Sequence, residues 1–151
     1  YAFDHRWVLI GATRSGAALH TDPVETSAWN TLISGRKRWV LWPPSVKEDE
    51  LAPPDVVGLT GHTASRWIHH YYPQIHPDLD GCIDFIQEPG ETVYVPNGWW
   101  HNVVNLELSV AVTHNFVGEH NLEAAREAIK EEDEELAAEW WEQLGEADSK
   151  S

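Results

Sequence analysis

The sequence predicts a mainly β protein, an antiparallel sandwich or barrel, that ends in α-helices. Short segments rich in β-branched and aromatic residues recur over the first 117 residues, separated by glycine, proline and asparagine. From residue 121 onward, apolar side chains recur at helical spacing instead. A chain of 151 residues suits one domain that buries about two-thirds of its unfolded surface.

Eight segments have the composition of strands, and turn residues bound each of them. They are Arg6–Gly11, 18–22, Ser27–Ser34, 38–42, Ile83–Gln87, Thr92–Val95, 101–104 and 109–117. Pro23 and Pro43 end two of them, because proline cannot donate a hydrogen bond to a sheet. The turn at Gly35 predicts a hairpin between the third and fourth strands.

Residues 45–80 lack the strand pattern and contain several prolines and histidines. We expect a long excursion with a short helix near residues 64–69. A loop of this length in a small domain usually carries function or covers a site.

The C-terminal segment has the pattern of amphipathic helices around an acidic run at residues 131–135. Asn121 is the predicted N-cap and Gly145 the predicted end. The apolar positions are Leu122, Ala125, Ile129, Leu136, Trp140 and Leu144. Trp140 and Trp141 need a surface to pack against, either the barrel or another chain. We therefore divide the chain into a core, residues 1–118, and an acidic helical segment, residues 119–151.

The composition excludes several classes of protein. A net charge of −15 argues against direct nucleic-acid binding and would favour a basic partner, although much of the acid lies in the tail. The single cysteine, Cys82, excludes an internal disulfide framework and is expected to be inert. We expect no membrane span. The chain begins with Tyr1 and has no methionine, so we expect a piece of a longer protein.

His20 and Asp22 are the first candidates for metal ligands. Side chains two apart on a strand point to the same face, so an imidazole and a carboxylate would lie together. Such a pair is by itself more often structural. His101, which follows a strand and a Pro-Asn-Gly turn, could supply a third ligand. Two histidines and a carboxylate form the facial triad of non-haem Fe(II) oxygenases.

Lys37 and the last strand support a ligand-holding interior. A buried lysine needs an anion, so an inward Lys37 would imply an acidic ligand or a neighbouring carboxylate. A solvated turn explains Lys37 equally well. In the last strand, one face is small and polar, which suits a wet lumen. That face consists of Ser109, Ala111, Thr113 and Asn115.

The other histidines are less convincing candidates. A second metal site at His69 and His70 is not expected, because adjacent side chains diverge in both helices and strands. His114 is expected to pack on the opposite face from Thr113. The remaining histidines form no ligand pattern; they are His5, His62, His76 and His120.

Several motifs together resemble the JmjC-domain 2-oxoglutarate oxygenases, in particular the branch of the phosphatidylserine-receptor-like lysyl hydroxylase. The resemblance covers residues 6–44 and 83–117 in the family's order. The motifs are LHTDP (19–23), SAWN (27–30), GRKRW (35–39) and GETVYVPNGWWHNVVNL (90–106).

The resemblance implies a double-stranded β-helix, the jelly-roll or cupin-like barrel. It implies Fe(II) held by His20, Asp22 and His101, and 2-oxoglutarate held by Lys37, Asn30 and Thr113. It also implies a nuclear dioxygenase that hydroxylates a protein side chain such as lysine, or demethylates histone or arginine. Ala17 stands where the related hydroxylase has threonine, and the family's N-terminal helices and first strands are missing.

Two other functions remain open at this point. One is a catalytically silent JmjC-fold scaffold in a nuclear assembly, with the C-terminal helices docking a partner or forming a dimer. The other is a small-molecule cupin that binds a different divalent metal, because ligand geometry alone does not select the metal.

Overall fold

Two four-stranded antiparallel sheets pack face to face in the computed structural model, which describes residues 6–51, 63–75 and 80–148. The strands are β1 (Arg6–Gly11), β2 (Gly16–His20), β3 (Ser27–Ser34), β4 (Lys37–Trp42), β5 (Ile83–Gln87), β6 (Thr92–Val95), β7 (Trp100–Asn105) and β8 (Ser109–Phe116). One sheet has the order β1-β8-β3-β6 and the other β2-β7-β4-β5. This confirms the mainly β prediction and the jelly-roll architecture.

Consecutive strands switch sheets at every step except from β4 to β5. The predicted hairpin between β3 and β4 is therefore wrong. Gly35 adopts φ 86°, and a Cβ there would lie 2.4 Å from the Leu108 carbonyl oxygen. The chain can therefore cross closely over the β7–β8 connection. The turn chemistry was recognised correctly, but a turn alone does not say whether the next strand stays in the sheet.

The interior between the sheets contains an apolar cluster and, bordering it, a cavity lined in part by polar side chains. In that cluster, Trp39 and Leu41 of β4 pack against Ala28, Val93 and Val95 of the facing sheet. Alternate residues of β8 are buried, as the sequence predicted; they are Ser109, Ala111, Thr113 and Asn115. The last two line the polar cavity described below.

The described part of the 45–80 excursion covers the outer face of the β2-β7-β4-β5 sheet. It contains α1 (Glu48–Leu51), α2 (Ala64–Arg66), a π-helical turn (Trp67–Tyr71) and a 3-10 turn (Tyr72–Gln74). The helix predicted near residues 64–69 is confirmed and begins after Thr63, whose hydroxyl accepts a hydrogen bond from the Arg66 amide. Trp67 is fully buried against Leu51 and Trp42. The described residues of this excursion thus pack on a sheet rather than line the interior cavity.

A polar cluster attaches the end of this excursion to the sheet. Arg38 donates two hydrogen bonds to Asp84, which also accepts one from the Tyr72 hydroxyl. The Arg38 contacts lower the pKa of Asp84. Cys82 lies beside Tyr72, and partial burial raises the pKa of its thiol, which disfavours the reactive thiolate.

The C-terminal helices are α3 (Leu122–Glu132) and α4 (Glu134–Asp148). Asp133 separates them, and its carboxylate caps α4 by accepting bonds from the amides of residues 135 and 136. Gly145 does not end α4, so that prediction is wrong. A helix-interior glycine costs only about 1 kcal/mol, less than the neighbouring helix formers recover together.

The apolar faces of α3 and α4 pack on each other and on the edge of the barrel. Trp140 lies in a cluster with Ala125 and Ile129, and Val24 and Val117 of the barrel contact that cluster. Within the described residues, Trp140 therefore finds its surface in this chain. None of the described helices has the length and hydropathy needed to cross a bilayer.

Candidate metal centre

His20, Asp22 and His101 converge at one point. β2 pairs with β7, and His20 lies directly opposite His101 across the two strands. Asp22 Oδ1 lies 3.9 Å from His20 Nε2 and 4.0 Å from His101 Nε2. One ligand atom from each side chain lies within 4.8 Å of the other two, an arrangement that could hold a metal ion.

Asp22 reaches this point differently from the way the sequence predicted. β2 ends at His20, so Asp22 lies outside the strand, in extended backbone just before a 3-10 turn, Pro23–Glu25. The alternation of a strand alone therefore does not aim the carboxylate.

Hydrogen bonds to backbone carbonyls set the tautomer of both histidines. His20 Nδ1 lies 2.7 Å from the Ala18 oxygen, and His101 Nδ1 lies 3.1 Å from the Trp99 oxygen. A carbonyl oxygen can only accept, so each Nδ1 carries the proton. Both Nε2 atoms are then free to bind a metal, and the rings are held in orientation as ligating histidines usually are.

His101 is the most buried of the three ligand candidates. Burial, together with the nearby His20, lowers its pKa to about 4, and Asp22 only partly opposes this. His101 is therefore neutral near pH 7, which is the form that binds metals. Asp22 Oδ2 is buried and has no hydrogen-bond partner among the described residues. Such an atom is costly unless something binds it.

The three side chains lie in a cavity of about 680 Å³ between the sheets. Both sheets supply polar side chains to its wall. These include Asn30, Lys37, Asn105, Thr113 and Asn115. Ala17 also lines the cavity, at the position where the resemblance led us to expect threonine.

Lys37 is inside the barrel and only 5% exposed, so the solvated-turn explanation is wrong. Its Nζ donates a 2.7 Å hydrogen bond to Asn105 Oδ1. It forms no ion pair with any residue in the described ranges, and burial lowers its pKa. A buried ammonium with an amide as partner, and no carboxylate, suits an anionic ligand.

Asn30 and Thr113 face each other across β3 and β8. Asn30 is 5% exposed, and its Oδ1 lacks a hydrogen-bond partner among the described groups. Thr113 Oγ1 donates to the Trp29 carbonyl oxygen at 2.8 Å, which leaves its lone pairs available as acceptors. Both side chains thus offer polar atoms to the cavity.

Asn105 is the residue that the sequence argument missed. It is 3% exposed and connects Lys37 to Ser15, because its Nδ2 donates to Ser15 Oγ at 2.9 Å. The sequence placed it in a turn after residue 104, whereas β7 continues through it. Asparagine is rare in strand interiors, so nothing local indicated an inward side chain there.

The metal-ligand pattern is found at this position alone among the described residues. His69 and His70 are both exposed. His114 packs edge-on to Trp29 on the outer face. His5, His62 and His76 lie outside the described residues.

Comparison with known proteins agrees with this geometry. The family model described as "JmjC domain, hydroxylase" matches residues 7–116. The chain is 46% identical over 126 residues to "Lysine-specific demethylase JMJ21" of Arabidopsis thaliana, covering 78% of this chain and 13% of that protein. It is 43% identical over 129 residues to "Bifunctional arginine demethylase and lysyl-hydroxylase psr-1" of Caenorhabditis elegans, covering 78% of this chain and 31% of the relative.

A third relative is "2-oxoglutarate and iron-dependent oxygenase JMJD4" of Mus musculus, 37% identical over 123 residues, with 79% of this chain and 28% of the relative covered. The chain thus spans less than a third of the length of these relatives. The match to the family model nevertheless includes all three ligand candidates and every described strand except the first residue of β1, Arg6. This chain belongs to the JmjC domain, hydroxylase family.

Proposed function

We propose that this domain is an Fe(II)- and 2-oxoglutarate-dependent dioxygenase that acts on a protein side chain. One observation carries the proposal: the three ligand candidates share a cavity with a buried lysine that has no carboxylate partner among the described residues. A metal-binding barrel for a neutral ligand would not need that lysine. The name of the JMJD4 relative, which states a dependence on iron and 2-oxoglutarate, supports the same cofactors.

The residues present fit Fe(II). His20, Asp22 and His101 would hold it as two neutral imidazoles and one carboxylate on one face, the donor set of non-haem iron oxygenases. Asp22 Oδ2, which is buried and has no partner in the described part of the chain, fits a carboxylate that is completed by a cation. When bound, iron with 2-oxoglutarate supplies the oxidation of a substrate C–H bond by O2, coupled to decarboxylation of 2-oxoglutarate to succinate and CO2.

Lys37 would bind the distal carboxylate of 2-oxoglutarate by a charge-assisted hydrogen bond. Asn105 holds the ammonium in place, and its own Nδ2 is anchored on Ser15. Asn30 would donate a further hydrogen bond to the same ligand through its Nδ2, and Thr113 would donate one by turning its hydroxyl away from the Trp29 carbonyl oxygen. These side chains orient the co-substrate and exclude water from one end of the cavity.

The test is spectroscopic. Under anaerobic conditions, Fe(II) and 2-oxoglutarate added to the protein should produce the visible charge-transfer band of a chelated 2-oxo acid. Asp22→Ala should abolish the band. Absence of a band in folded wild-type protein would count against the proposal and favour the silent scaffold.

The substrate that we propose is a lysine or arginine side chain of a basic protein or peptide. The names of the relatives include lysyl hydroxylase, lysine demethylase and arginine demethylase activities. The net charge of −15 would attract a basic substrate. Mass spectrometry of lysine- and arginine-containing peptides would separate hydroxylation, seen as added oxygen, from loss of methyl groups. If none of the basic peptides is modified, that result contradicts this assignment.

The cupin alternative differs in its metal. Metal analysis of protein purified without added iron would distinguish the two. The activity of a dioxygenase should in addition be restored by Fe(II) alone. The scaffold alternative is less favoured, because a scaffold needs neither a complete donor set nor a buried lysine beside it.

We also propose the division into a core, residues 1–118, and a helical segment, residues 119–151, and a nuclear location, which the resemblance to the family implies. Docking of a partner or dimerisation through α3 and α4 remains a proposal. Light scattering of the intact chain tests dimerisation: a monomer at micromolar concentration would contradict it. Imaging of the tagged protein tests the nuclear location.

A further inference from the structure

The Asp22 carboxylate is aimed by its backbone and not by side-chain partners. Its Oδ2 has no hydrogen-bond partner among the described residues, and the neighbours of its Oδ1 are the two histidine Nε2 atoms. His20 and His101, by contrast, are each held by a bond from Nδ1. Whatever fixes the turn after Asp22 therefore fixes this ligand.

That turn has a backbone conformation that L residues seldom adopt. Val24 has φ 54° and ψ 35°, and Glu25 has φ 51°, so two consecutive non-glycine residues lie in the left-handed region. This conformation is unfavourable for any L residue, and most of all for a β-branched one. It persists only where surrounding contacts hold it.

The start of the C-terminal segment supplies such contacts. Asn121 Nδ2 donates a 2.7 Å hydrogen bond to the Glu25 carbonyl oxygen, and Asn121 Oδ1 accepts one of 2.7 Å from the Gly118 amide. The Asn121 side chain does not cap α3, although it precedes that helix. It is 1% exposed, so water cannot replace these bonds. Val24 also packs into the apolar cluster of α3 and α4.

We propose that Asn121 is a positioning residue for the Asp22 carboxylate. It holds the left-handed turn, and the turn aims the carboxylate at the point that His20 and His101 face. The inference rests on the proposed function only in taking Asp22 as a metal ligand. It assigns part of the metal site to the helical segment, 96 residues further along the chain from Glu25.

The first test is the binding of Mn(II), a redox-inert probe, to the metal-free full chain, measured by electron paramagnetic resonance. Asn121→Asp keeps the shape and the acceptor for Gly118 but replaces the donor to Glu25 with an oxygen. We expect Mn(II) affinity to fall at least tenfold, within the roughly 10–100-fold range for loss of an outer-shell partner. Arg126→Ala is the matched control. It removes the contact of Arg126 with Trp141 on the same helices, 4.1 Å from the ring centre, and should leave Mn(II) affinity within about twofold.

A second variant separates positioning from general stability. Val24→Gly added to Asn121→Asp should recover much of the Mn(II) affinity, because glycine adopts the left-handed region freely. If Asn121 served only the stability of the fold, the double variant would bind more weakly than Asn121→Asp, because an apolar contact is also lost. That result would overturn the proposal. If Asn121→Asp does not fold, Asn121→Ser removes the same donor without adding charge and carries the same expectations.

Failure of this inference can be distinguished from failure of the proposed function. Wild type that does not bind Mn(II), or an Asp22→Ala variant that binds it equally, would reject Asp22 as a ligand. The positioning role alone would be overturned if wild type binds Mn(II), Asp22→Ala does not, and Asn121→Asp binds it as tightly as wild type.

Discussion

His101 and Asp22 face the same point from two regions that are built differently. His101 lies on β7, an interior strand hydrogen-bonded on both sides to β2 and β4. Asp22 lies beyond the end of β2, an edge strand, in extended backbone just before a turn with left-handed residues. The direction of the first side chain follows from sheet register, whereas the second depends on contacts made by distant segments.

The difference indicates where this site is vulnerable. A side chain on an interior strand can be misdirected only by a change of register, which the buried face strongly specifies. A side chain in a turn can be misdirected by loss of a single hydrogen bond. Four variants, in order of decreasing expected effect, test this contrast. Three act on His101 or on the segments next to Asp22, and the Lys37 variant leaves both ligand candidates in place for comparison.

Gly16→Ala should have the largest effect, because it separates the two regions. A Cβ at Gly16 would lie 1.9 Å from the Val103 carbonyl oxygen of β7, which is backbone and cannot move aside. We expect a loss of about 3 kcal/mol or more in unfolding free energy, measured in urea, and weaker Mn(II) binding. Gly145→Ala is the control, because a Cβ there meets nothing within 4 Å. It should stabilise α4 by up to about 1 kcal/mol. Equal stability of the two variants would contradict the close approach of β2 to β7.

The stability of the metal-free protein should depend on the protonation of His101. Its folded pKa is about 4, below the unfolded value of about 6.5. Between these two pH values the unfolded chain binds more protons than the folded protein. The contribution of neutral His101 to the unfolding free energy is therefore complete above about pH 6.5 and is lost as pH falls toward 4. The loss should approach about 3 kcal/mol in urea unfolding with a chelator present. His101→Asn should show a shallower decline over this range. An unchanged slope would mean that His101 does not titrate in this way.

Lys37→Ala should weaken the binding of 2-oxoglutarate and leave the candidate metal ligands in place. A charge-assisted hydrogen bond contributes roughly 1.5–3 kcal/mol, so the affinity should fall on the order of 10–150-fold. Calorimetric titration of 2-oxoglutarate and Mn(II) separately would measure both. Arg36→Ala, an exposed neighbour paired with Glu88, should change neither. Equal loss of both ligands, or loss of neither, would count against Lys37 as the carboxylate-binding residue.

Asn97→Ala should have the smallest effect and should disturb only the turn that follows Asp22. Asn97 Nδ2 donates to Glu25 Oε2 at 3.0 Å, a partly solvated bond to the side chain and not to the backbone of the turn. Its loss should cost about 1 kcal/mol in stability and only a few-fold in Mn(II) affinity. An effect as large as that of Asn121→Asp would mean that the turn is held from the barrel side instead.

Much of the β domain could be predicted from the sequence, because strand segments can be recognised by their local composition and by the turn residues that bound them. The polar face of β8 followed from simple alternation, and His20, Asp22 and His101 followed from residue type and spacing. The pairing of β3 with β8 and not with β4 could not be predicted, because a short turn permits both. The inward Asn105 gave no local signal.

By itself, the sequence determined the positions of the strands, the candidate metal ligands and the family, since these depend on residue type and order along the chain. Only the tertiary structure decided that Lys37 is buried against an amide, that Asp22 lies outside its strand, and that Asn121 bonds to Glu25. Each of these depends on contacts between segments distant in sequence, which packing brings together and no local pattern encodes.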